Sequence, residues 1–445
     1  MARIKWLDGL KGLAVFLVVF GHYFKCELDV TERSFWDSPP EDNRRLFQLP
    51  PLRLLFSTVA MVPLFMVLSG YSIALSLFKF RDRGRTLDFF LRLRNGVWRR
   101  PVRLFFPVLL ISAVSQIAYF LDLYTYLSPE AQYDLRHIQP WTDPWAHMNS
   151  MLQFVSDSMN IVQLQWNKGL SEHIWSMPFE LRGSYTVYLT ILGLSSHRRN
   201  ARLGILTSMA GYFAYYGNWD ILSFLLGVLL AEIGSTTGTV ASASRTATIH
   251  KYLTLSSFTV GVFILCMNGV NNRYPPEYTF LQIFESPHWT KYNAFDDIQH
   301  TWHAIGSALT VFGIGNSPTL QRPFTTAPLQ YLGRLHFSIY LVHQLVLFTL
   351  KGPLWGNAWW YMTGTWYAHG DVALGYALSV RLLTWVGSGV VLGCVILVFA
   401  EVFDGIVKWG YGVIDGVERR MLVSGGGGAK KVELRIAGYV TGSAE

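Results

Sequence analysis

Apolar stretches long enough to cross a bilayer dominate this chain of 445 residues. A membrane-crossing helix needs about 20 mainly apolar residues, and the sequence contains ten candidate segments. They lie near residues 6–24, 54–78, 102–121, 174–193, 203–217, 219–235, 252–270, 300–316, 335–352 and 381–405. We therefore predict an all-α, polytopic membrane protein with about ten transmembrane helices. Because some segments are short or interrupted, nine or eleven spans are alternatives.

Composition supports a membrane protein and argues against several other classes. Charged residues make up 15% of the chain and hydrophobic residues 51%, whereas a soluble domain carries about 25% charged residues. The net charge of +8 comes from basic residues clustered between apolar runs, which indicates membrane orientation rather than nucleic-acid binding. Cys26, Cys266 and Cys394 lie in unrelated segments and predict neither disulfides nor a metal site.

The distribution of basic residues predicts how the chain is oriented. Nine of them fall in residues 79–103, between the second and third apolar segments. With a cytosolic N-terminus, Lys and Arg concentrate on the inner side, as the positive-inside rule requires. An even number of spans then places both termini in the cytosol. Since no small-residue cleavage site follows the first segment, we expect a retained span rather than a signal peptide.

The predicted domain organisation is a transmembrane domain over residues 1–410 and a cytosolic tail over residues 411–445. The tail is glycine-rich and then polar from residue 424, which is typical of a flexible segment. Three long outer loops, 25–53, 122–173 and 271–299, are rich in acidic, Pro and aromatic residues. Loops of this length are often functional, so they are candidates for covering a site on the outer face.

The first span, LDGLKGLAVFLVVFGHYF, contains charged and titratable residues in an apolar helix. Lys11 and His22 are eleven residues apart, which places them on one helical face and about 16 Å apart along the axis. Asp8 lies near the same face and could pair with Lys11. A neutral histidine can act as a general base. The structural alternatives are a lysine that reaches the inner headgroups and a histidine in an interhelical hydrogen bond.

The segment WRRPVRLFFP combines two arginines with a proline. Arg100 and Arg103 share a helical face, and Pro101 suits the first turn of a helix. Two guanidinium groups beside free backbone amides would form an anion site suited to phosphate. The alternative is a basic stop at the inner membrane surface.

Two further segments place polar residues in apolar helices. In EHIWSMPFELRGSYTVYL, Glu180 is costly in lipid unless it is paired or used, and the structural alternative is an ion pair with an arginine. In LGRLHFSIYLVHQLVLF, His343 lies mid-helix with Tyr340 three residues before it. The alternative there is a buried hydrogen bond.

These segments, taken in order, resemble the acyltransferase 3 family of multi-spanning membrane acyltransferases, and most closely its fungal members. Four motifs of the family have counterparts here. Lys11 and His22 belong to the first, and VPLFMVLSGYSIA, which contains Ser69, is the second. The pair Arg100 and Arg103 forms the third, and HIWSMPFELRGSY, which contains Trp175, is the fourth. The late helix LGRLHFSIYLVHQ completes the series, and the resemblance spans about residues 5–405. Small residues at Ser69 and Gly70 permit close helix packing. Arginine is commoner than lysine at position 11 in this family, so a point charge replaces a bidentate fork.

The resemblance implies O-acylation of a hydroxyl, with acetyl-CoA or another acyl-CoA as donor. Lys11, Arg100 and Arg103 would bind the anionic donor, and His22 would take the proton of the acceptor hydroxyl. Glu180 would orient or charge-balance His22. Asp8, Ser69, Trp175, Tyr340 and His343 are expected to support the substrates or the site.

The acceptor is left open between a carbohydrate, a lipid and a small molecule. The membrane is likewise left open between the plasma membrane and the ER or Golgi. A proton-coupled transporter or exporter that uses Lys11, His22 and Glu180 as a relay is the alternative function.

Overall fold

Long helices account for most of the chain that the computed structural model describes, namely residues 4–24, 27–125, 138–164, 170–234, 244–269, 273–289 and 294–424. These ranges contain no β-strand, so the predicted all-α fold is confirmed. The helices are α1 Lys5–Phe24, α2 Thr58–Arg81, α3 Thr86–Phe120, α4 Pro144–Ser158, α5 Met177–Leu194, α6 Arg199–Tyr215, α7 Trp219–Gly234, α8 Ser244–Leu265, α9 Ala294–Gly315, α10 Ala327–Thr363 and α11 Ser388–Ser424.

Each of the ten predicted spans coincides with one of these helices. Among the described residues, five helices are long and apolar enough to cross a membrane: Lys5–Phe24, Thr58–Arg81, Thr86–Phe120, Ala327–Thr363 and Leu378–Gly416. The last range includes two short helical segments, Leu378–Arg381 and Leu382–Gly387, that continue directly into α11. The remaining helix, α4, lies in the predicted outer loop 122–173 and was not expected as a span. Its fifteen residues are too few to cross the hydrocarbon core.

Helix α3 begins well before the position expected from the sequence. It runs unbroken from Thr86 to Phe120, with Pro101 in its interior. Phe89 and Leu93, four residues apart, are buried against side chains of α2 and α5, and this packing extends the helix toward its N-terminus. The prediction that Arg100 and Arg103 lie at a helix N-terminus with free backbone amides is therefore wrong.

Two prolines interrupt the hydrogen bonds of α3 on either side of Arg103. Pro101 and Pro107 each lack an N–H and free the carbonyl four residues earlier. Tyrosine hydroxyls from neighbouring helices donate to the freed oxygens. Tyr185 of α5 lies 3.5 Å from the Val97 carbonyl, and Tyr411 of α11 lies 2.7 Å from the Arg103 carbonyl. The arginine-bearing turn is thus attached to α5 and to α11.

Glycines allow α1 to lie directly against the backbone of α10. A Cβ on Gly12 would fall 2.3 Å from the Leu329 carbonyl oxygen, and one on Gly333 would fall 2.0 Å from the Asp8 carbonyl oxygen. Helices α2 and α7 approach in the same way, since a Cβ on Gly70 would fall 2.3 Å from the Phe224 carbonyl oxygen. Close packing at small residues is typical of helices in membranes, and it was expected for Gly70.

The segment between α1 and α2 is held by a buried arginine. Arg53 is 1% exposed and donates to the carbonyls of Arg33 at 3.0 Å and Asn268 at 3.1 Å. Its guanidinium also lies 3.8 Å from the Glu277 carboxylate. This arginine therefore joins parts of two predicted outer loops, 25–53 and 271–299.

Helix α11 crosses the expected domain boundary at residue 410 and continues to Ser424. Residues 425–445, for which a flexible tail is predicted, lie outside the described part of the chain, as does Cys26.

Gly333→Ala is expected to destabilise the protein by about 1–3 kcal/mol, because the added methyl group would collide with the α1 backbone. The measurement is the thermal unfolding of the purified protein in detergent. Gly356→Ala in the same helix is the matched control, since a Cβ there meets nothing within 4 Å. Equal melting temperatures for the two variants would contradict the close approach of α1 and α10.

Candidate active site

A cavity of about 540 Å³ opens between α1, α2, α3, α5, α10 and α11. It lies toward the N-terminal end of α1, where Lys11 enters its wall. Several of the residues singled out from the sequence line it together: Lys11, Ser69, Arg100, Arg103, Glu180 and Tyr340. The structure thus brings together, in one cavity, residues from five separate sequence motifs.

The carboxylate of Glu180 is the centre of a polar network on one wall of the cavity. Its Oε1 accepts a hydrogen bond from the Arg100 guanidinium and a second from Ser69 Oγ at 2.7 Å. The Arg100 Nε donates to Ser184 Oγ at 2.9 Å. Glu180 therefore pairs with an arginine, although the neighbouring Arg182 instead bonds Asp220 of α7 at 2.6 Å.

Lys11 lies close to this network. It is within electrostatic reach of Asp8, Arg100 and Glu180. The two carboxylates offset the repulsion between the lysine and the arginine, so that both cations can face the same cavity. Asp8, expected as a partner of Lys11, is also a contact point between α1 and α10, because its carbonyl lies against Gly333.

Tyr340 connects the cavity to a buried group of histidines. Its hydroxyl donates to the His173 carbonyl at 2.7 Å and lies 2.8 Å from Ser176 Oγ. Both Ser176 and Tyr340 line the cavity. The His173 ring packs edge-on against the Tyr340 ring, with centroids 4.9 Å apart.

His22, His173 and His343 come together at the far side of Tyr340. The ring centroid of His343 lies 5.2 Å from that of His22 and 4.8 Å from that of His173. We call these three residues the histidine cluster. The described residues hold no group of three His, Cys, Asp or Glu side chains arranged to bind a metal ion.

The hydrogen bonds of His343 fix which of its ring nitrogens carries the proton. Its Nδ1 lies 2.7 Å from the Tyr340 carbonyl, which can only accept, so the neutral ring is protonated at Nδ1. The Nε2 atom then carries a lone pair. This nitrogen, like both ring nitrogens of His173, is buried without a hydrogen-bond partner among the described residues. Buried polar atoms normally have partners, so the cluster is suited to receive a polar group of a ligand.

Trp175 is placed away from the cavity, toward α7 and α9. Its ring packs against Phe179, Trp219 and His300, with centroids 5.7, 6.3 and 5.9 Å apart. This tryptophan therefore contributes to packing beside the site.

Three residues of the site were not predicted from the sequence, although they lie in motifs recognised there: His173, Ser176 and Arg334. His173 and Ser176 precede Glu180 in EHIWSMPFE, and Arg334 precedes His343 in LGRLHFSIYLVH. A helical wheel of each motif shows which residues share a face. It does not show which face meets the cavity, because that depends on how the helices rotate against one another.

Comparison of the sequence with known proteins gives matches to acyltransferases. The family model of acyltransferase 3, described as an acyltransferase domain, matches residues 4–400. The O-acetyltransferase PaAT-1 of Phomopsis amygdali is 26% identical over 78% of this chain and 73% of its own length. The acyltransferase clz18 of Cochliobolus lunatus is 22% identical, covering 80% of this chain and 85% of its own.

A further fungal relative, the acyltransferase R4 of a Phoma species, is 20% identical and covers 80% of this chain and 85% of its own length. No solved structure matches the chain significantly. The family model covers the cavity-lining residues of α1, α2, α3, α5 and α10, and it ends at residue 400, before those of α11. This chain therefore belongs to the acyltransferase 3 family of membrane acyltransferases.

Proposed function

We propose that the enzyme transfers an acyl group, most simply acetyl, from acyl-CoA to a hydroxyl of an acceptor, with His22 as general base. The observation that carries this proposal is the arrangement on the two sides of Tyr340. A basic cavity lies on one side and the histidine cluster on the other. An anionic donor can bind in the first and present its thioester to the second.

The donor's phosphates fit the basic wall of the cavity. Lys11, Arg100 and Arg103 bring three cations to its lining, and guanidinium groups bind phosphate oxygens in a bidentate manner. The pantetheine arm of the donor is long and weakly polar, and it would follow the apolar lining past Phe65 and Met66 toward Tyr340.

The chemical step forms an ester bond and breaks a thioester bond. The acceptor oxygen attacks the thioester carbonyl carbon while His22 takes the hydroxyl proton. When the carbon–sulfur bond breaks, the imidazolium returns that proton to the departing CoA thiolate. The histidine therefore ends the cycle neutral, and no other co-reactant is needed.

Glu180 supports the donor site in this proposal. The sequence suggested that it would orient or balance His22, but its carboxylate bonds Arg100 and Ser69. Its role is then to hold the Arg100 guanidinium at the cavity. His343, whose ring centroid lies 5.2 Å from that of His22, takes the supporting position beside the base, and Tyr340 lies three residues before His343 on α10.

The choice of acyl group and of acceptor atom in this proposal rests on a related protein rather than on the shape of the cavity. The relative from Phomopsis amygdali is named an O-acetyltransferase, which favours acetyl as the acyl group and oxygen as the acceptor atom. A carbohydrate, a lipid or a small molecule can supply that hydroxyl. Family membership favours this enzymatic function over the proton-coupled transporter considered from the sequence.

The proposed arrangement in the membrane is multi-pass with both termini in the cytosol. The cavity lies at the Lys11 end of α1, which the positive-inside rule assigns to the cytosol. Cytosolic acyl-CoA would then bind directly, in either the plasma membrane or an internal membrane.

His22→Ala is expected to lower acyl transfer by about 10²- to 10⁴-fold, because the general base is lost. Membranes containing the variant are incubated with acetyl-CoA labelled in the acetyl group and with a metabolite extract as the acceptor pool. The measurement is the label recovered in extractable products.

His197→Ala is the control for this experiment, since His197 is an exposed histidine outside the site. Its transfer rate should equal that of the parent. Full activity of His22→Ala, at an equal amount of folded protein, would refute the assignment of the base.

Lys11→Ala is expected to raise the KM for acetyl-CoA, because one cation of the donor site is removed. Lys11→Arg keeps the charge and restores the residue commoner in the family. Its activity should stay within about tenfold of the parent, a barrier change of about 1.4 kcal/mol or less. Lys251→Ala, at an exposed lysine of α8, serves as the control. An unchanged KM in both Lys11 variants would remove Lys11 from the site.

A further inference from the structure

A second group of charged residues lies at the cavity and is not used in the donor site proposed above. Arg334 of α10 and Lys408 of α11 both line it. Arg334 forms an ion pair with Glu401, and Lys408 pairs with Asp404 at 2.5 Å. Both carboxylates belong to α11, so this helix supplies the partner of each cation.

These two pairs lie at the open side of the cavity. The Arg334 side chain is 46% exposed and that of Lys408 is 64% exposed. By contrast, the Arg100 side chain is 26% exposed and its partner Glu180 is 14% exposed. The cavity therefore has an inner group of charges beside Lys11 and an outer group at its mouth.

The spacing of the outer group aligns it along the cavity wall. Glu401, Asp404 and Lys408 recur at intervals of three and four residues on α11, so they share one helical face. Tyr411 continues this face and also lines the cavity. A ligand at the mouth would meet Asp404 together with the cations of Arg334 and Lys408.

The ion pairs can exchange their carboxylates for a stronger anion. A phosphomonoester carries about −1.5 to −2 charges at neutral pH and offers three acceptor oxygens. A carboxylate carries one charge. Exposed pairs of this kind are weakly held, so a phosphomonoester can displace Glu401 from Arg334 and Asp404 from Lys408.

We propose that Arg334 and Lys408 form a second anion subsite, at the cavity mouth, which binds the 3′-phosphate on the ribose of the donor. This inference rests on the proposed function, because it takes acyl-CoA as the donor. In acyl-CoA the 3′-phosphate lies at the opposite end from the thioester, with the pyrophosphate between them. A thioester at Tyr340 places the pyrophosphate near the inner cations and leaves the 3′-phosphate for the mouth.

The test compares the binding of two probes, coenzyme A and 3′-dephospho-coenzyme A, to the purified full-length protein in lipid nanodiscs. Isothermal titration calorimetry gives both dissociation constants, and no acceptor is required. The parent should bind coenzyme A at least about tenfold more tightly than the dephosphorylated probe. In Arg334→Gln/Lys408→Gln this ratio should fall to about one, through weaker binding of coenzyme A alone.

A second variant, in which the Glu401 carboxylate is replaced by a neutral amide, separates loss of the subsite from misfolding. Glu401→Gln frees Arg334 and should tighten coenzyme A binding by about two- to threefold, with little change for the dephosphorylated probe. A damaged protein would not bind more tightly. Arg85→Gln is the control for loss of a positive charge, because Arg85 forms an exposed pair with Asp88 outside the cavity. It should leave the ratio unchanged.

The possible outcomes separate this inference from the function on which it rests. If the parent binds both probes equally well, the 3′-phosphate subsite is refuted and acyl-CoA remains the donor; a mouth that binds lipid phosphate would give this result. If the double variant keeps the parent's ratio, the assignment of Arg334 and Lys408 is wrong. If the parent binds neither probe, both the donor and the subsite are refuted.

Discussion

Charge compensation inside an apolar bundle is the constraint on which the site depends. An arginine removed from water is costly unless its hydrogen bonds and its charge are matched. Arg100 meets both conditions, since its guanidinium contacts the Glu180 carboxylate and the Ser184 hydroxyl. With that pair in place, Lys11 can face the same space. The glycine contacts bring α1, which carries Lys11, against α10, which carries Tyr340.

The same bundle separates two environments along α1. Toward the N-terminus the helix borders a charged, open cavity, and toward the C-terminus it borders the histidine cluster, in which His173 and His343 are buried. Tyr340 stands between them, with its hydroxyl committed to Ser176 and to the His173 backbone. A donor with a charged nucleotide and a reactive thioester matches this division, because its two ends need opposite surroundings.

The positions of the helices could be predicted from the sequence, whereas the partners of the polar residues could not. The lengths of the apolar segments predicted where the helices lie. For α3 they predicted a start near Pro101, because residues 86–98 are too polar for a membrane segment. The buried pair Phe89 and Leu93 shows that packing against neighbouring helices outweighs this polarity. Glu180 was expected to be either paired or used, and the partner that the structure gives it, Arg100, lies 80 residues away. Long-range pairing of this kind depends on helix rotation, which a single sequence does not encode visibly.

Tyrosines of α5 and α11 donate to the carbonyls freed by Pro101 and Pro107, so the position of the arginines of α3 depends on three helices. A proline in a helix usually leaves one carbonyl without its N–H donor, and water or a bend in the helix compensates for the loss. Here a tyrosine hydroxyl from another helix donates to each of these carbonyls. One of these phenols is Tyr411, 308 residues from Arg103 in the chain. The register of the arginines is therefore anchored from outside their own helix, and a sliding movement of α11 would be transmitted to the backbone that carries them.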